Sequence, residues 1–156
     1  MKLELRTSIT YFQNLAQGLQ THSFPCDGLA FAEKIKENKE VLFCFEINPK
    51  ESRNFEPNRE QLLGNLVFTG QKVIENSSHR GTEGQKELKD AMLPAGQYLF
   101  VQHRGETALD REEWLDMAIE QQKDGLWERN KPGNLLYVRY LYEDGAIVTQ
   151  LFRTLD

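Results

Sequence analysis

The sequence predicts an α+β fold in a single domain, and three observations carry this. Short aromatic and β-branched runs recur at residues 41–47, 63–70, 98–101, 135–142 and 146–155, which is strand composition. A capped amphipathic helix is written into residues 110–125. The order of elements also repeats, as strand, helix, strand, strand in each half of the chain.

The centre of the chain is the segment Leu93-Pro94-Ala95-Gly96-Gln97-Tyr98-Leu99-Phe100-Val101-Gln102-His103-Arg104-Gly105. Pro94 and Gly96 form a turn that feeds a strand ended by Gly105. Both faces of residues 98–101 are apolar, so this strand needs cover on both sides. Asp110-Arg111-Glu112-Glu113 then has the form of a capping box. Trp114, Leu115, Ala118, Ile119 and Gln122 follow as one helical stripe, with Glu112, Asp116, Glu120 and Lys123 on the other side. Gly125 reads as the helix stop, which places Trp127 in a loop. Lys131-Pro132-Gly133-Asn134 is a turn, and Glu143-Asp144-Gly145 joins the last two strands as a hairpin.

In the N-terminal half, Lys2-Leu3-Glu4-Leu5-Arg6 alternates like an edge strand. Residues 9–19 suit a strand with a bend, although Tyr11, Phe12, Leu15 and Ala16 also stand at helical spacing. Residues 30–37 read first as a short helix capped by Asp27, and second as a strand leading to a turn at Glu37-Asn38-Lys39. Residues 41–47 form the central strand, residues 49–59 a polar surface loop, and residues 63–70 another strand. The run Asn76-Ser77-Ser78-His79-Arg80-Gly81 marks a connector. One domain over 1–156 is thus divided into a first half at 1–71, a connector at 72–91 and a second half at 92–156.

A chain of 156 residues buries roughly 60–70% of its surface and folds without staples. A net charge of −5 and the absence of a basic patch argue against direct nucleic-acid binding. No segment is apolar and long enough to cross a bilayer, and no signal peptide is present, so no membrane partner and a cytoplasmic setting are expected. Cys26 and Cys44 read as buried or free thiols in a reducing compartment. No metal or cofactor motif and no nucleophile motif is found, and His22, His79 and His103 are far apart, so the reading leans against an enzyme.

Alternation places Tyr98, Phe100 and Gln102 on one strand face, Leu136, Val138, Tyr140 and Tyr142 on another, and Val148, Gln150 and Phe152 on a third. Together they make an aromatic surface with polar tips, suited either to the core or to the wall of a ligand cleft. Trp127, in its expected loop, and Glu46, at the end of an apolar strand, are added as candidate ligand-binding residues.

Pro94-Ala95-Gly96-Gln97-Tyr98, the strand ending His103-Arg104-Gly105, the helix bearing Trp114 and Pro132 ahead of a tyrosine-bearing strand resemble the second half of the GyrI-like small-molecule-binding domain. This is the bacterial effector-binding domain of MerR- and AraC-type multidrug-responsive regulators. The resemblance covers residues 92–155, and the N-terminal half matches in element order. It implies two βαββ units with pseudo-twofold symmetry, an antiparallel sheet with helices on one face, and a central cleft for a hydrophobic, aromatic and often cationic ligand. It also implies a sensor domain of a transcriptional regulator or a stand-alone binding protein, with any DNA-binding domain or protein partner on another chain. The alternatives it implies are a topoisomerase-inhibitor-type interaction module and a hydrolase of strained cyclopropane compounds. Gln150 stands where the resemblance places a cation-facing glutamate, so a counter-charge falls to Glu46 or Glu143.

Overall fold

The computed structural model describes residues 1–13, 33, 35–37, 39–72 and 90–156. Its strands are β1 (Lys2–Leu5), β2 (Ile9–Gln13), β3 (Glu40–Ile47), β4 (Leu63–Lys72), β5 (Asp90–Leu93), β6 (Gly96–Gly105), β7 (Pro132–Glu143) and β8 (Ala146–Leu155). Helices α1 (Arg59–Leu62) and α2 (Arg111–Trp127) lie between β3 and β4 and between β6 and β7. Glu33 and Ile35 to Glu37 are helical, in line with the first reading of residues 30–37. Leu15, Ala16, Cys26, Asp27 and Phe31 lie outside the described residues, as do residues 73–89 of the connector expected at 72–91, whose ends belong to strands instead, Lys72 to β4 and Asp90 and Ala91 to β5.

The eight strands among the described residues join one antiparallel sheet in the order β1-β6-β8-β7-β3-β4-β2-β5. The central place of β3, between β7 and β4, is as its apolar run predicts. What the sequence did not reveal is how the sheet curls. β1 bends into β2 across residues 6–8, and β5 bends into β6 across Pro94 and Ala95. These two bent strands pair with each other twice, Leu3 opposite Tyr98 and Ile9 opposite Leu93. The Ala95 N–H donates to Ser8 Oγ at 2.8 Å where the bends meet. Both outer ends of the sheet are therefore made by one paired ribbon, which forces the sheet to curl.

Each face of the curled sheet carries its own core. On one, Trp114, Leu115 and Ala118 of α2 pack with Val41, Phe43, Phe45, Leu136, Val138 and Tyr140, and Ile35 joins them. Trp114 stacks at a tilt on Phe45 at 5.1 Å between ring centroids. On the other face, Tyr11, Leu42, Cys44, Leu93, Tyr98, Tyr137 and Phe152 pack together, with Leu3, Leu5 and Phe100 around them. Tyr98 meets Tyr137 and Phe152 edge to face at 6.2 and 5.7 Å.

The capping box at α2 is complete: Asp110 Oδ1 accepts from the Glu113 N–H at 2.9 Å, and Glu113 Oε1 accepts from the Asp110 N–H at 3.0 Å. Gly125 does not end the helix, which continues to Trp127. Its role is close approach, because a Cβ there would lie 2.6 Å from Leu99 Cδ1 on β6. Trp127 accordingly sits in the last turn of α2 and not in a loop. The final hairpin turns through Asp144 and Gly145 at φ 51° and 76°, the left-handed pair that an Asp-Gly turn favours.

Behind α2 lies a buried polar pin. Arg153 is fully buried and donates to Gly133 O at 2.7 Å, Gln122 Oε1 at 2.8 Å and Ser52 O at 3.1 Å. Gln122 in turn donates to Glu51 O and Asn54 O at 2.8 and 2.7 Å. This fixes the polar loop between β3 and α1, which the sequence places wholly at the surface although Ser52 is buried.

Candidate functional site

β1 covers only the first part of β6. Its register runs from Leu5 opposite Gly96 to Lys2 opposite Leu99, and the Phe100 N–H donates to Met1 O at 2.7 Å. Past that point no strand pairs with the outer edge of β6 among the described residues. Beside this stretch runs α2, and between the two lies a groove of about 530 Å³. Met1, Phe100, Val101 and Met117 give it an apolar wall; Gln102, Asp116, Glu120, Gln121 and Asp124 supply its polar groups.

The helical repeat explains the polar edge. Asp116, Glu120 and Asp124 stand four residues apart and so form one ridge along α2. Asp116 is held by Arg59 of α1 at 2.7 Å, and Glu120 lies 3.8 Å from Lys123. Asp124 has no ion pair among the described residues. Gln121, in the groove wall, is buried and donates through Nε2 to Leu99 O at 2.9 Å and Leu151 O at 3.2 Å.

Gln102 ties the groove to a polar row across the sheet face opposite α2. Gln150 Nε2 donates to Gln102 Oε1 at 3.0 Å, Arg139 Nη1 to Gln150 Oε1 at 3.3 Å, and Arg139 Nη2 to Glu40 Oε2 at 3.1 Å. The Tyr11 hydroxyl donates to the same Glu40 carboxylate. Burial pushes the Tyr11 phenol far up, with the Arg139 guanidinium opposing and Glu40 reinforcing the shift. Beneath the row, burial raises the Cys44 thiol to about 12, so this free cysteine is an inert core group, as the sequence reading allows.

The candidate ligand-binding residues do not form one surface. Phe100 lines the groove, stacked at a tilt on Phe152 at 5.0 Å, and Gln150 reaches the groove through Gln102. Tyr98 and Phe152 are core, the Tyr98 hydroxyl donating to Pro94 O, and burial lifts that hydroxyl to about 12. Tyr140 is on the opposite face, fully buried against α2, with its hydroxyl donating to Leu109 O at 3.0 Å. Tyr142 shares that face, half-buried, with Lys39 Nζ over its ring at 5.3 Å. The aromatic on the face of Phe152 is instead Tyr137, which lies opposite it in register. Trp127 is 79% exposed and outside the groove. Glu46 is exposed, and Glu143 is exposed beside Arg104 at 3.5 Å, so neither supplies a buried counter-charge.

Met1, Val101, Met117, Gln121 and Asp124 were missed as site residues. The acidic ridge of α2 was visible as the helix face opposite the apolar stripe, but nothing local distinguishes a groove wall from a solvated face. Among the described residues no group of three or more His, Cys, Asp or Glu side chains could hold a metal ion. No described helix is long and apolar enough to cross a membrane. No family model matches the chain, and no curated protein matches its sequence.

Proposed function

We propose that this chain is a non-catalytic binding domain that takes a small hydrophobic or aromatic ligand in the groove between α2 and β6. The observation that carries this is the groove itself, about 530 Å³ with an apolar wall and a few polar groups, the size and character of small-molecule seats. The carboxylates along its edge favour a ligand with a positive group, in place of the charge that Gln150 lacks. The role is that of a sensor module for a regulator, or of a stand-alone ligand-binding protein.

The same proposal includes two βαββ units related by a pseudo-twofold axis, as in a GyrI-like domain. The strand order supports it: exchanging β1 with β5, β2 with β6, β3 with β7 and β4 with β8 turns that order into its own reverse. The groove belongs to the second of these units, closed at one end by Met1 of the first. A hydrolytic role finds less support, because Glu40 in the polar row is engaged by both Tyr11 and Arg139 and makes a poor base. A protein-interaction role is favoured by one observation, the 79% exposure of Trp127.

Calorimetric titration with naphthyl and biphenyl compounds, each in neutral and cationic form, tests the ligand reading. Saturable binding is expected, and Met117→Trp, which fills the groove from its half-buried wall, should weaken it at least about tenfold while the protein stays folded. Binding unchanged by Met117→Trp contradicts this seat. No binding by any compound shifts the reading to protein interaction.

A further inference from the structure

We infer that the groove selects a protonated amine that retains an N–H, with that N–H donated to the side-chain oxygen of Gln121. The inference rests on the groove being a ligand seat and adds the chemical class of the ligand.

Gln121 is 7% exposed, and its Nε2 is committed to two backbone carbonyls, Leu99 O and Leu151 O. Because both partners are acceptors, turning the amide over would set oxygen against oxygen, so the amide orientation is fixed by chemistry. Oε1 is then the atom left over, and it is buried with no partner. An orphaned acceptor inside a protein is uncommon and unfavourable, and this one belongs to a wall residue of a cavity. Beside it stands Asp124, three residues on along α2 and without an ion pair among the described residues. Asp116 and Glu120 are partly neutralised by Arg59 and Lys123.

These groups set three demands on an occupant: an apolar body for Phe100, Val101 and Met117, a positive charge for Asp124, and a hydrogen-bond donor for Gln121. A quaternary ammonium meets the first two and fails the third. An alcohol meets the first and third and fails the second. A protonated primary, secondary or tertiary amine, each with at least one N–H, meets all three. The donor reaches Oε1 as groove-wall side chains move aside, and Met1 and Met117 supply unbranched, adaptable ones.

The test is calorimetric titration of the full chain with 2-(2-naphthyl)ethylammonium, its N,N,N-trimethyl analogue and 2-(2-naphthyl)ethanol at pH 7. A merely apolar, acidic-edged groove would favour the trimethyl compound, which is easier to desolvate. The inference predicts the reverse: the primary amine binds about tenfold or more tighter than the trimethyl analogue, as a charge-assisted hydrogen bond requires, and tighter than the alcohol. Asp124→Asn should narrow the gap between amine and alcohol. In a folded Gln121→Met variant the preference for N–H should disappear, and its persistence there would overturn the assignment to Gln121. Equal or tighter binding of the trimethyl compound by the wild type overturns the N–H requirement and leaves the ligand seat standing. No binding by any of the three removes the seat and this inference with it.

Discussion

Arg153 carries its charge into the interior with carbonyl and amide oxygens as partners. Burial pulls its guanidinium down to about 10, with Asp156 opposing, so it stays charged at neutral pH and its hydrogen bonds must offset the desolvation. Removing it would orphan Gly133 O, Gln122 Oε1 and Ser52 O together. Arg153→Ala is therefore expected to cost on the order of 3–5 kcal/mol of stability, read from urea unfolding monitored by circular dichroism. A loss below about 1 kcal/mol would mean that water replaces the guanidinium at no cost. Sequence parity alone marks Arg153 as sharing a strand face with Leu151, but gives no sign of three acceptors drawn from β7, α2 and a loop. For the same reason Tyr98, Tyr140 and Phe152 were legible as large aromatics and illegible as members of two separate cores. Alternation fixes which residues of one strand share a face and leaves open which faces of neighbouring strands coincide.

Elements were legible where their signals are local. The capping box lies within four consecutive residues, and both of its hydrogen bonds form. Asp110→Ala removes the acceptor for the Glu113 N–H and should lower the unfolding free energy by about 1 kcal/mol, the usual worth of an N-cap side chain. An unchanged melting temperature would contradict it. The Asp-Gly hairpin is local in the same sense. Gly125 shows where local reasoning stops: a glycine near the end of a periodic run signals a cap, whereas here it admits Leu99 of β6 into contact with the helix. β5 was hidden because Asp90 and Ala91 fall within the connector read at 72–91, and its strand character comes from pairing with β2, some eighty positions earlier. α1, a single turn capped by Asn58, fills the gap between the loop read at residues 49–59 and the strand read at 63–70. It gains tertiary support when Arg59 pairs with Asp116 on α2, a mostly exposed contact worth at most about 1 kcal/mol.

At the scale of the whole molecule, the two paired bent strands make the sheet curl, and the groove lies beside the stretch of β6 that follows its pairing with β1. That pairing reaches Leu99, β6 continues to Gly105, and α2 lies beside the remainder. The groove walls come from three segments: Met1, the middle of β6 and one side of α2. That is why the α+β class and most strands could be read from the sequence while the site could not. Phe100 and Gln150 were identified by type. Their connection to Gln102, Gln121 and Asp124 exists only in the folded chain.

Backbone amide resonances of the ¹⁵N-labelled chain, followed during titration with 2-(2-naphthyl)ethylammonium, test whether the groove is a ligand seat. Saturable shifts concentrated at residues 100–102 and 116–124, with β3 and β4 little changed, are the predicted result. Shifts that saturate elsewhere and leave α2 and the outer part of β6 unmoved would mean that the ligand does not bind in the groove.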